Sequence, residues 1–191
     1  MTRIGLTVVA VVVWAVVGLA TTPALSDPQR VALKAHVQAN SDTNTLYVDG
    51  NLDGLRDLLN AEAVPVFWVW KTAVTREDVY TLQNDLTVGG AQTGFWNWTT
   101  YKNQGATEQN AWVQMFMGDT ANVSRLNVRD GIAAIFTGSA AATAQRDHIL
   151  AIGRRKASRL ERVFATGTGS TASPGTMVIE GPIESTELVG L

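Results

Sequence analysis

The side chains that could move a proton or hold an ion are few. His36 and His148 stand far apart in the chain, and neither has a carboxylate or second histidine at metal-ligand spacing. Asp49, Asp53 and Asp57 recur every fourth residue, and Glu77-Asp78 are adjacent. Four-residue spacing on a helix would gather carboxylates on one face, as a cation site or an acid/base pair requires. Asn51 reads as a helix cap, however, which leaves Asp49 outside the helix and the other two solvated. Gly167-Thr168-Gly169-Ser170-Thr171 has the composition of a phosphate loop. It lacks the lysine and follows a helix where such loops precede one, so it reads as linker. There is no G-x-S-x-G elbow, H-E-x-x-H pair, Walker loop or dinucleotide fingerprint. The absence of cysteine excludes disulfides, thiolate metal sites and thiol nucleophiles. No catalytic group, metal or cofactor is expected; a hydrolase built on His148 and a carboxylate brought near by folding is the weakest reading.

The six tryptophans include two W-x-W pairs, Trp68/Trp70 and Trp96/Trp98. In extended backbone each pair would present both rings on one face. No basic cluster flanks either, so packing or an intersubunit contact is the expected use rather than base or sugar stacking.

These residues belong to a chain of 191, 46% hydrophobic and 17% charged, enough for one domain with extensions at both ends. A net charge of −2 gives no global attraction to nucleic acid. The first segment, 1–26, is a hydrophobic leader. After Arg3, Ile4 to Ala20 carry no charge, and Ala24-Leu25-Ser26 offers small residues for cleavage before Asp27. It reads as a signal peptide, a membrane anchor, or an upstream extension from a misplaced start codon.

Residues 27–164 are expected to form a mainly α domain of five or six modest helices with short extended segments. Asp27-Pro28 opens the first, carrying Val31, Leu33, Ala35 and Val37, and Asn40 to Asn44 reads as a polar linker. Asn51 starts a helix with Leu52, Leu55, Leu58 and Leu59. Val64 to Trp70 is extended. Thr75 with Asp78 forms a capping box for a helix bearing Val79 and Leu82. Loops follow around Gly89-Gly90 and Gly94. A helix from Thr107 carries Ala111, Trp112, Met115 and Phe116 until Gly118, and another runs from Asn127 to Gly138 on Val128, Ile132, Ile135 and Phe136.

The last stretch carries most of the information. Gln145 to Phe164 reads as one amphipathic helix, with Ile149, Gly153, Lys156, Leu160, Val163 and Phe164 on one arc and Arg155, Arg159 and Arg162 on another. Residues 145–162 hold six Arg or Lys against Asp147 and Glu161, a local +4; residues 163–191 hold only Glu180, Glu184 and Glu187, a local −3. Such polarity suits head-to-tail contact between identical subunits. Residues 165–191 read as an extended C-terminal arm. Its glycines and small side chains cannot recover their ordering entropy alone, and Thr176 to Glu180 could add an edge to a neighbour's sheet.

Five ordered blocks, Val69-Trp70-Lys71-Thr72, Asn127-Val128-Arg129-Asp130-Gly131-Ile132, Arg154-Arg155, Val163 to Gly169 and Met177 to Gly181, resemble a family of tailed-bacteriophage virion proteins at the head-to-tail connector. The likeness spans roughly Asp27 to Leu191. Lys71 replaces a usual arginine and Val163 a usual leucine, and the leader departs from the family, as a misassigned start would. The resemblance implies a non-enzymatic adaptor in the virion neck, assembled in the host cytoplasm. It would form a ring with itself and bind the portal protein and a neck stopper or tail terminator. Arg154, Arg155, Lys156, Arg159 and Arg162 would then face a neighbouring subunit or contact DNA phosphates in the channel without sequence preference. Thr166, Gly167, Thr168, Gly169, Val178, Ile179 and Glu180 would dock on a partner. The alternative is an exported or membrane-anchored bacterial protein binding an envelope partner, with a membrane contact only if the leader is genuine.

Overall fold

The computed structural model describes residues 24–81, 87–88, 91–92 and 96–191. Residues 1–23 of the leader, Leu82, Gly89, Gly90, Gly94 and Phe95 lie outside them. The described residues are mainly helical, with nine α-helices among them.

Helix α1 (Asp27–Ala39) begins one residue earlier in effect than its proline implies. Ser26 is the N-cap, and its N–H donates to the Gln29 side chain at 2.8 Å. Leu25 is already buried, so the folded unit starts ahead of Asp27. Helix α2 (Ser41–Val48) occupies the expected linker. It has almost no apolar periodicity to betray it; Thr43 anchors it by donating its buried hydroxyl to the Val37 carbonyl at 2.8 Å. Helix α3 (Leu52–Asn60) starts where Asn51 accepts from Gly54 N–H, at 2.9 Å.

Strand β1 (Trp68–Trp70) follows, then β2 (Val74–Thr75) and α4 (Arg76–Thr81). Thr75 and Asp78 exchange hydrogen bonds of 2.9 and 3.0 Å, the expected capping box. The short hairpin β3 (Thr87–Val88) with β4 (Ala91–Gln92) leads to α5 (Trp98–Lys102), capped by Asn97. Then come α6 (Ala106–Met115), β5 (Thr120–Ala121) paired with β2, and α7 (Leu126–Ile135).

The single helix expected over Gln145 to Phe164 is three elements: α8 (Ala140–Ile152), β6 (Arg154–Lys156) and α9 (Arg159–Phe164). The break is tertiary in origin. Gly153 ends α8 where a Cβ would come within 2.7 Å of Val123 Cγ1, and its carbonyl accepts from Lys71 N–H at 2.8 Å. Beyond it β6 pairs antiparallel with β1, Trp68 opposite Lys156 and Trp70 opposite Arg154. Arginine and lysine are good helix formers, but propensity is a weak determinant that tertiary context overrides, and these ladder bonds prevail. Ser158 then starts α9 by accepting from Glu161 N–H.

Two hydrophobic clusters result. One joins Val79, Trp96, Trp112, Phe116, Ile132, Phe136 and Ile149 from α4 through α8. The other joins Leu33, Val37, Leu55, Leu59 and Leu160 with Ile179, Ile183, Leu188 and Leu191 of the arm. The arm is therefore not an unpaired extension, as its composition implied, but the lid of the second cluster.

Candidate functional site

The sequence blocks singled out above meet at one joint built around β1. On one side β1 pairs with β6. On the other, Trp68 N–H donates to the Gly169 carbonyl at 2.7 Å, Trp70 N–H to the Gly175 carbonyl at 3.0 Å, and Gly175 N–H back to Trp68 at 2.8 Å. The arm thus adds its edge to this chain's own strand rather than to a neighbour's. Its glycines make the approach possible. A Cβ on Gly169 would lie 2.1 Å from the Phe67 ring, and one on Gly175 would lie 2.7 Å from both that ring and the Thr166 carbonyl. Gly169 also sits at φ +66°, where a side chain is strained. Thr166 and Thr176 exchange two backbone bonds of 2.9 Å, closing the loop that contains Gly167 and Thr168. What looked like flexible linker is backbone packed on an aromatic ring.

A polar clasp locks the joint. Arg155, the middle residue of β6, donates to both carboxylate oxygens of Glu161 at 2.8 and 2.6 Å, and to Glu180 at 3.3 Å. Glu161 is only 3% exposed and also accepts from the N–H of Ser158 (2.9 Å) and Gly181 (3.2 Å). Burial alone would raise the Glu161 carboxyl. The fork to Arg155 and the two N–H groups outweigh it, so the group is held below the ordinary glutamate range. Arg155 is pushed up, first by its bonds to Glu161. Glu180 additionally accepts from Thr72. Downstream, Asn60 grips the arm as a peptide group would. Its amide donates to the Ile183 carbonyl and its oxygen accepts from Ile183 N–H, both at 2.9 Å.

The five basic residues do not form a stripe. Arg154 lies over the Trp68 ring, 5.8 Å from its centroid, and donates to the Thr171 carbonyl. Arg155 is inside the clasp. Lys156 pairs with Glu62 at 3.0 Å, Arg159 pairs with Asp42, and Arg162 donates to the carbonyls of Val64 and Pro65 at 2.9 and 3.2 Å. Each has a partner within the chain. Of the arm residues, Ile179 is buried in the second cluster while Val178 is 62% exposed.

Glu161, Asn60, Phe67 and Arg129 carry as much of the joint as any residue the sequence suggested. Arg129 lies 4.8 Å from the Trp70 ring centroid and donates to the carbonyls of Val123 and Ser124, 2.7 Å each. For Glu161 the signal was present: Ser158-Arg159-Leu160-Glu161 is an S-x-x-E capping box inside the supposed continuous helix. Nothing local announces Asn60 or Phe67.

The expected W-x-W geometry holds for Trp68 and Trp70, which flank buried Val69. Trp96 and Trp98 differ: Trp96 is buried and Trp98, first in α5, is half exposed, their rings 5.5 Å apart and nearly perpendicular. His148 is buried with Nε2 2.9 Å from the Val79 carbonyl. Asp53 and Asp57 both pair with Arg56 at the surface. Among the described residues no group of three or more His, Asp or Glu could hold a metal ion, and no helix is long and apolar enough to cross a membrane.

No family model, curated protein or solved structure matches the chain.

Proposed function

We propose that this chain is a structural protein of a tailed-bacteriophage virion, a head-to-tail connector subunit of adaptor type. In this reading copies of it assemble against the portal protein, and a stopper or tail terminator docks on the other side. The supporting observation is convergence. The five blocks that resemble connector proteins come from three separate regions of the sequence, around 70, 130 and 154–181, yet their residues meet at one joint, where Trp70, Arg129, Arg155, Gly169 and Glu180 hold the architecture together. That is how framework residues behave, and it supports a shared construction plan for a joining protein.

The joint also changes how docking works in this reading. Because the arm seals its own domain, the contact surface consists of side chains left outside, among them Val31, Val48, Val178 and Val189. Because Arg154, Arg155 and Lys156 are engaged internally, they offer DNA in the channel little free basic surface. The test is a phage lacking the gene. Particles should accumulate as DNA-filled heads without tails, and supplying the chain should restore joining; complete infectious particles formed without it would end the proposal.

A second reading, an exported or anchored envelope-binding protein, rests on the uncharged run Ile4 to Ala20. Processing before Asp27 would remove buried Leu25 and the Ser26 cap from the folded unit. The N-terminal residue of the protein isolated from cells separates the two readings.

A further inference from the structure

The cleft between the end of α1, the start of α2 and α9 brings Arg159 and Arg162 together with groups that the connector reading does not use, His36 and Asp42 among them. It encloses about 590 Å³ and is lined by His36, Asn40, Asp42, Thr43, Arg159 and Arg162. Three potential cations thus face one carboxylate. Arg162 is pinned by its Nη1 to two carbonyls, so its guanidinium is already oriented. Arg159 pairs with Asp42 through Nη1, while its buried Nε has no hydrogen-bond partner. That Nε is shielded from solvent and does not itself meet a ligand; the exchangeable contact is the Asp42 pair at Nη1. The first turn of α2 also opens here, and its Asn40 N-cap makes no side-chain capping bond. The Asp42 carboxylate accepts from Thr43 N–H at 2.9 Å, so it is held by that helix end as well as by Arg159.

We propose that this cleft binds a phosphate group, held by the forked donors of Arg159 and Arg162 with His36 as a protonatable third partner. Planar guanidinium forks match tetrahedral oxyanions geometrically. Asp42 is the internal competitor: its carboxylate occupies Arg159 when no ligand is present, so binding exchanges one anion for another. The His36 imidazole faces Asp42 on α2 and Arg159 and Arg162 on α9. Its pKa is lowered first by burial and then by Arg162, against the pull of Asp42. A phosphate placed among these groups reverses the balance and favours imidazolium. For a phosphate of fixed charge, such as a diester, binding therefore strengthens as the pH falls through the histidine range. The site is independent of the connector proposal and stands or falls separately.

The test is proton NMR of the His36 ring in the full chain, titrated with inorganic phosphate at ionic strength held constant with sodium chloride. The buried His148 ring serves as an internal reference. A saturable shift of His36, with its titration moved to higher pH, is expected. Arg162→Gln should weaken binding about tenfold or more. Asp42→Asn should tighten it by a similar factor, an effect that loss of a merely structural ion pair would not produce. A parallel titration with a short DNA duplex lacking terminal phosphates identifies the source. If the duplex shifts His36 at lower concentration than inorganic phosphate does, the ligand is a nucleic-acid backbone; if only inorganic phosphate does, it is a small phosphate compound. A His36 shift that neither titrant saturates, or equal titrations in the wild type and both variants, would overturn the site.

Discussion

The two hydrophobic clusters are built on opposite plans. The cluster of α4 to α8 draws all its buried residues from Val74 to Ile152 and is rich in rings: Trp96 stacks on Trp112 at 5.3 Å, and Phe136 meets Trp112 edge-on at 5.4 Å. The cluster of α1, α3 and α9 is wholly aliphatic in its buried members and takes them from both ends of the chain, Leu25 to Leu59 and Leu160 to Leu191. One core can form from a continuous stretch. The other exists only when the two ends have met, so its integrity depends on the arm and on the polar clasp that seats it.

Ending the chain after Ala165 should break that contrast most severely. It removes Ile179, Ile183, Leu188 and Leu191 from the second cluster. Part of the helical circular dichroism should survive, carried by α4 to α8, while a hydrophobic dye binds the uncovered faces of α1 and α3; an unchanged thermal transition would mean the arm contributes nothing. Single truncations come next. Trp112→Ala in the ring-rich cluster should cost about 3–5 kcal/mol and Ile183→Ala in the aliphatic one about 2–5 kcal/mol in urea unfolding. Their sum measures the separateness of the cores, since independent sites add within about 0.5 kcal/mol.

Glu161→Gln leaves Arg155 without its main partner. The cost should be about 3 kcal/mol, the low end of the range for a buried pair, because the arginine is partly exposed. The pH dependence has a definite sign. The Glu161 carboxyl is held down in the folded state, so its stabilisation is complete above its unfolded value and is lost as the pH falls through its lower folded value. The wild type should lose stability over that acid interval more steeply than Glu161→Gln does. Asn60→Ala should cost about 1–3 kcal/mol by orphaning the Ile183 N–H and carbonyl, with the loss visible as faster hydrogen exchange at Ile183. The smallest effect on stability, within about 0.5 kcal/mol, is expected for Val178→Asp on the outer side of the arm; under the connector proposal, that variant should fold normally yet fail to join heads to tails.

Local chemistry made the helix starts readable. The caps Asn51 and Thr75 stand where their residue types placed them; the period of Val128, Ile132 and Ile135 located α7, although its N-cap is Arg125 rather than Asn127 and it ends at Ile135, three residues before Gly138. What escaped was decided at a distance. The break at Gly153 depends on Val123 and Lys71, and the order of Gly167 to Gly175 depends on Phe67 and β1. Small residues carry no periodic signal, so a glycine that admits a ring to the backbone resembles a glycine that lets the chain swing. The charged residues misled for a related reason: spacing gives a stripe's angle on a helix, but not whether each guanidinium already has a partner. Thus the joint's members were partly visible while its geometry was not.

The buried position of Leu191, whose carbonyl accepts from Tyr47, has a consequence for how the protein is made. The ribosome delivers α1, α2 and α3 more than 100 residues before the arm that covers them. Through most of translation those helices wait with bare leucines, in the company of other nascent chains. The middle of the polypeptide can settle as it emerges, whereas the outer layer closes only after synthesis reaches the arm.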